Sequence, residues 1–547
     1  MKIRSCLLAF AIASAAHGPA LAQVAAGRDH SAHVHGGDGK PPEQLGRVTF
    51  DNSCNAAVQP TLERAVALLH SFWFREAEKS FRQVLEADPG CAIATWGIAT
   101  VLVGNTFATG PTPAQAQQAK EAIERGRAIG AKTERERLFI EAVAAYYALY
   151  SDKPHRARML ALSQAFASIA TRFPADDETQ IFSALYLAST QDPSEQTFAA
   201  TLKAAAILEG QFTKHPDHPG VAHYLIHSYD YPPIAEKGLT AARRYAGIAP
   251  SAPHALHMPS HVFTRVGAWA DSVESNLRSA NVAQAEKEFN NQLHAMDYMV
   301  YADLQMGRDS DARKLVDEAP GVRGDDQILS TPYALSAIPA RYAVERSAWS
   351  EAARLQPQTN TRFALTTAIT YFARALGAAR GGDAAAAEAD VEQLARIVDS
   401  LKAAKDNYWA TEVEVQRQGA AAWLAYAKGD RPAALQLMQS AAALEDTSEK
   451  AAVSPGRLVP AHELLGDMLM ESSRPADALA EYERAQVRDP NRYRSLYGAG
   501  LAASAAGQRD KARLYWTKLS ELVGTGTGGE SRPETRRARE WLASASR

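Results

Sequence analysis

A repeat near the C-terminus constrains this chain more than any other feature. Gly466 recurs as Gly500, Ala478 as Ala512, Tyr482 as Trp516 and Ala485 as Leu519, each 34 residues on, and Pro490 closes the first unit. Small residues at this spacing let two helices cross closely, with an aromatic side chain one turn away filling the space beside them. A single helical hairpin cannot cover its own apolar face, so repeats of this kind are stable only when stacked into a continuous core. The repeat therefore predicts an all-α chain.

Degenerate copies extend the pattern upstream. Ala77, Phe81, Val84 and Pro89 carry the same offsets, as do Ala241, Tyr245, Ile248 and Pro253, while Ala434, Met438 and Ala441 follow Gly429-Asp430. This is the tetratricopeptide (TPR) spacing, and it predicts a right-handed α-solenoid of stacked hairpins with a concave groove. Residues 318–332 and 444–460 hold Pro, Gly and charged residues and read as exposed loops. The first suggests a boundary near residue 325, between an N-terminal block (49–325) and a C-terminal block (326–547); a continuous solenoid with insertions fits as well. Pro259 and Pro339 lie inside helical stretches and predict kinks. Arg341 and Glu345, at i and i+4, read as a surface pair.

Residues 1–22 read as a signal peptide: Lys2 and Arg4 precede an apolar run, and Ala20-Leu21-Ala22 offers a cleavage site before Gln23. The expectation is a periplasmic or secreted protein cut after Ala22. Its formal charge of −3 becomes two units more negative on losing Lys2 and Arg4. Such a chain lacks the basic footprint of a nucleic-acid binder, and no later apolar run approaches the ~20 residues of a membrane span. Residues 23–48 are polar and Gly-rich and read as a disordered arm, in which His30, His33 and His35 are either loose metal ligands or part of a solvated spacer. After processing two cysteines remain, Cys54 and Cys91, read as a disulfide or as two buried thiols.

Six of the fifteen histidines fall between His218 and His261. His223, His227 and Asp230 lie at i, i+4 and i+7, and His254, His257 and His261 at i, i+3 and i+7, so each set projects from one stripe of a helix. These six residues are candidate ligands for a transition metal, zinc or copper. His294 and Asp297, with Tyr301 a further turn along, are expected to present a third helix to the same groove, and His218 to flank it. An Asp there could orient a ligating imidazole through its second nitrogen. An acid–base or ligand cluster without metal, or a structural hydrogen-bond network, accounts for the same spacing. His70, Phe72 and Trp73 read as core, or as groove lining. Met258, Met296 and Met299 would suit copper but equally fill a core.

The blocks LLHSFWFREAEKSFRQVLEADPGCAIATWGIA, HPGVAHYLIHSYDYPP and APHALHMPSHVFTRVGAW resemble a group of exported bacterial TPR proteins that carry them. The resemblance spans most of residues 50–540 and implies a scaffold that binds a peptide or protein in its groove. It implies no catalytic roles. HExxH, GxSxG and Walker A are absent from the sequence. The main expectation is an exported scaffold with a His-rich metal site. The alternatives are a metal-dependent hydrolase, with Asp230, Glu236 or Asp297 as base, or a metal-handling protein.

Overall fold

In a computed structural model, residues 42–108, 110–358, 361–524 and 532–545 are described, and their regular secondary structure is helical throughout, with no strand among them. The signal-like segment and His30, His33 and His35 lie outside these residues. Consecutive helices pack as antiparallel hairpins, among them Trp269–Ala285 with Phe289–Gln305, Ala364–Gly381 with Ala384–Ala403, and Asn407–Ala427 with Arg431–Glu445. Several turns reuse one device: a residue with positive φ, such as Gly267, Lys287, Ser347 or Gly429, two positions before the next helix.

The repeat signature has a direct steric origin. A Cβ on Gly466 would lie 2.7 Å from the Tyr482 ring, and one on Gly500 would lie 2.7 Å from the Trp516 ring. Each glycine thus makes room for the aromatic of its own hairpin. Gly97 makes room for Phe81 from the following helix, as Gly498 does for Tyr482. Pro259 separates Pro253–His257 from Pro259–Arg265, and Pro339 sits inside Ser330–Glu345.

Buried apolar residues gather into one cluster from Leu45 to Phe263 and another from Leu329 to Ala538, with smaller clusters around Val300 and Tyr301 between them. Gln44–Arg547 nonetheless forms one unit. The last residues assigned to the arm belong to it: Leu45 is buried, Gln44 N–H donates to Ser251 Oγ at 2.8 Å, and Arg47 N–H donates to the Asp217 carbonyl at 3.0 Å. Cys54 and Cys91 are disulfide-bonded, with Cα atoms 4.8 Å apart.

Two expectations are corrected. Arg341 and Glu345 do not pair on the surface. Both are buried, Arg341 Nε donating to Asp297 Oδ1 at 2.8 Å and Glu345 accepting from Arg492 Nη2 at 2.9 Å. The segment 444–460 is not an exposed loop either: Leu444 and Glu445 end the helix Arg431–Glu445, and after the exposed Asp446 and Thr447 no residue up to Pro460 is exposed. Ser448, Glu449, Lys450 and Ser454 are buried, and Arg457 and Arg488 both donate to the Ser448 carbonyl. Its polar composition serves internal hydrogen bonds instead of water. No helix is long and apolar enough, among the described residues, to cross a membrane.

Candidate metal centre

The helix Pro219–Tyr229 is buried along its whole length. His218 caps it, Nδ1 accepting from Val221 N–H at 3.3 Å, and Pro219 fills the first turn, where its missing donor costs nothing. His223 and His227 project inward one turn apart. His254 and His257 come from Pro253–His257, His261 from the segment beyond the Pro259 break, and His294 from Phe289–Gln305. The histidines are therefore interior and do not line an open groove wall; His254 and His294 keep a little exposure.

They assemble as two trios, His223/His227/His254 and His257/His261/His294, each with ligand-capable atoms within 4.8 Å of one another. Oxygen acceptors hold the outer nitrogens of three rings. His223 Nδ1 donates to the His70 carbonyl at 2.6 Å, His257 Nδ1 to Asn276 Oδ1 at 2.6 Å, and His261 Nδ1 to Asp230 Oδ2 at 2.8 Å. Burial, and then the neighbouring imidazoles, hold His223, His227 and His254 well below the ordinary histidine value; burial, then His294 and His261, do the same for His257. Burial also lowers His261, against the pull of Asp230.

These two facts fix the chemistry. A neutral ring whose Nδ1–H is committed to an oxygen presents a lone pair at Nε2. His257 Nε2 and His261 Nε2 are 3.0 Å apart, so two lone pairs face each other. His223 Nε2 meets His254 Nε2 at 3.2 Å, and the buried His227 Nε2 has no hydrogen-bond partner. Two nitrogens bound at 2.0–2.1 Å to a tetrahedral ion would lie about 3.3 Å apart. The donor set fits a transition metal.

Asp230 does not join either trio. The helix ends at Tyr229, so the chain turns away, and its carboxylate backs His261 while also accepting from Arg265 Nε at 2.9 Å. Lys450 Nζ, from the 444–460 segment, stands 3.5 Å from the same carboxylate; burial, then Arg265, lower its amine to about 8. Asp297 and Tyr301 are also placed elsewhere, Asp297 on Arg341 and Tyr301 accepting from Arg492 Nη1 at 2.8 Å. Glu236 is exposed.

His218 belongs to a separate buried group. Glu178 accepts from His70 Nε2 at 2.9 Å and His218 Nε2 at 2.8 Å, while His70 Nδ1 takes the Tyr224 hydroxyl at 2.9 Å. Every imidazole nitrogen there has a partner, so the group is a satisfied network. It steadies the backbone carbonyl of His70 that anchors His223.

Sequence reasoning passed over several neighbours. Tyr298, one turn beyond His294, packs edge-on against His257 with ring centroids 4.7 Å apart, and its hydroxyl donates to the Ala452 and Ser454 carbonyls at 3.2 Å. Phe107 stacks on His227 at 4.0 Å, and Phe72, which the sequence offers as core or groove lining, stacks on His254 at 5.5 Å. The i+4 spacing from His294 was a signal for Tyr298. Asn276 gave none.

No protein-family model matches the chain, and no curated protein matches it. Among solved structures it is similar to a tetratricopeptide repeat protein from Parabacteroides merdae, at 9% identity and a TM-score of 0.23 over 75% of this chain and 100% of that one. It is also similar to yeast Tom70, at 12% identity and a TM-score of 0.27 over 90% and 96%. Likenesses at this level carry no argument about function.

Proposed function

We propose that this chain is an exported TPR-type scaffold whose packed helices hold a transition-metal centre on His223, His227, His254, His257, His261 and His294. The observation that carries the reading is the facing pair of Nε2 lone pairs on His257 and His261, each ring locked by an oxygen behind it. Asp230, Asn276 and the His70 carbonyl supply the outer hydrogen bonds that orient metal-binding imidazoles and raise their basicity. The disulfide and the signal-like N-terminus support an oxidising compartment.

The scaffold part of the reading assigns a peptide or protein segment to the surface of the repeats. A cleft of about 440 Å³ at the C-terminal repeats, lined by Asp446, His462, Asp477, Glu481 and Arg484, is the candidate seat.

The test is elemental analysis of protein purified without a histidine tag. Bound zinc or copper that disappears in a His223→Ala/His257→Ala double variant with an unchanged helical spectrum supports the site. Equal metal content in both proteins, or none in either after reconstitution, removes it.

A further inference from the structure

We infer that the two histidine trios form a single dinuclear copper centre whose substrate is dioxygen. The inference rests on the metal reading above and deepens it.

The two trios are not separate sites. Ring centroids across the boundary are 5.9 Å apart for His227–His261 and for His254–His257. Within the trios the corresponding distances run from 4.4 Å for His257–His294 to 6.5 Å for His261–His294. The six imidazoles thus form one continuous cage. Ligand-capable atoms approach closely only in threes, so the cage suits two ions with three nitrogens each. Three protein ligands leave a coordination position open on each ion. Adjacent ions in such cages commonly lie about 3.5–4 Å apart, close enough to share a small bridging molecule.

The ligand chemistry selects the metal. Imidazole suits zinc, copper, iron and nickel, and of these copper is the ion stable as a monovalent cation. Each of the six ligands is neutral. The carboxylate nearest the cage, Asp230, is already engaged by His261, Arg265 and Lys450. Two divalent ions would therefore place four positive charges in a buried cage with no free anion to offset them, a severe desolvation cost. Two copper(I) ions halve that charge.

The same bookkeeping selects the substrate. Dioxygen is small and uncharged, and enters an aromatic-walled cage without shedding a hydration shell. Each copper(I) gives it one electron, so two copper(I) and one dioxygen become two copper(II) bridged by peroxide. Two positive charges and two negative charges appear together, and the net charge of the cage is unchanged. No other reductant or proton is required. Phe72, Phe107 and Tyr298 wall the cage.

The experiment is anaerobic copper(I) titration of tag-free, metal-free full-length protein, followed by exposure to air. Expected are two copper(I) per chain, uptake of one dioxygen per pair, and an intense charge-transfer absorption with little or no paramagnetic resonance signal from the coupled copper(II) ions. His227→Ala and His294→Ala, one from each trio, should each lose the absorption while retaining the native helical spectrum. One copper per chain, or magnetically isolated copper(II) after air, overturns the dinuclear inference. Zinc retained at two per chain with no dioxygen uptake by the copper form leaves the metal reading intact and overturns this one. Failure to bind any metal overturns both.

Discussion

Asp230 Oδ2 lies 2.8 Å from His261 Nδ1 while Oδ1 of the same carboxylate receives Arg265 Nε at 2.9 Å. One buried side chain therefore ties a candidate ligand to a fixed cation, and burial notwithstanding, Lys450 and Arg265 hold it well below the ordinary carboxylate range. Asp230→Asn keeps the size but removes the charge that strengthens the His261 lone pair. Metal affinity should fall by roughly 10–100-fold, read by competition against a chelator of known affinity. An unchanged affinity would mean that His261 does not bind metal.

Glu178 is the shared acceptor for His70 and His218. Burial opposes its charge, but the two imidazoles outweigh burial and keep it well below its ordinary value. A depressed carboxylate stabilises the fold above its unfolded value, and that contribution is lost as pH falls through the folded one. Glu178→Gln offers one acceptor where two donors converge. It should cost about 3 kcal/mol or more at neutral pH, with the deficit against wild type shrinking in acid. Denaturant unfolding at several pH values reads this directly. Because the His70 carbonyl anchors His223, metal affinity should fall as well.

The Gly500–Trp516 contact is the steric basis of the repeat. Gly500→Ala forces a Cβ to within 2.7 Å of the indole, which can relieve the clash only by moving out of a packed core. The expected loss is about 1–3 kcal/mol. A Gly429→Ala control meets no neighbour but sits at φ 87°, so its cost comes from backbone strain alone. Thermal unfolding of the two variants separates packing from strain.

The repeat was legible because its contacts are local: Gly466 meets Tyr482 within one hairpin, and the offset repeats at Gly500 and Trp516. The His223–His227 and His257–His261 pairs were legible for the same reason, since i,i+4 neighbours on a helix must share a face. Asp297 and Tyr301 share that phase with His294 yet serve Arg341 and Arg492, partners 44 and 191 residues away. No periodicity encodes such distant partners. His294 was read as a supporting residue and instead completes the second trio. The segment 444–460 misled because Ser, Glu, Lys and Gly compose exposed loops and buried polar networks alike. What distinguishes them is the set of donors waiting inside, here Arg457, Arg488 and Tyr298.

Cys54 precedes the helix Gln59–His70 and Cys91 precedes Ile93–Val101, and their bond closes a loop of sequence separation 37. A cross-link of that span restricts the unfolded chain by roughly 3–4 kcal/mol. Cys54→Ser/Cys91→Ser should lower stability by an amount up to this figure, and reducing agent should lower the wild type equally while leaving the double variant unaffected. The turn Leu69–Trp73, which supplies the His70 carbonyl, follows directly from the first of these helices. Metal affinity should accordingly fall less than stability does.

Asp303 gives the clearest pH signature in the fold. It is buried in Phe289–Gln305, and burial, with Asp311 adding repulsion, raises its carboxyl to about 7. Above its unfolded value of 3.8 the unfolded chain releases this proton while the folded one keeps it. The contribution of Asp303 to stability therefore declines as pH rises from about 4 to about 7, by up to roughly 1.4 kcal/mol for each unit crossed, and levels off above. Asp303→Asn carries no such proton. It should match the wild type near pH 4 and exceed it in melting temperature at pH 8, when both are followed by circular dichroism. Equal melting temperatures at pH 8 would show that Asp303 ionises in the folded protein without cost.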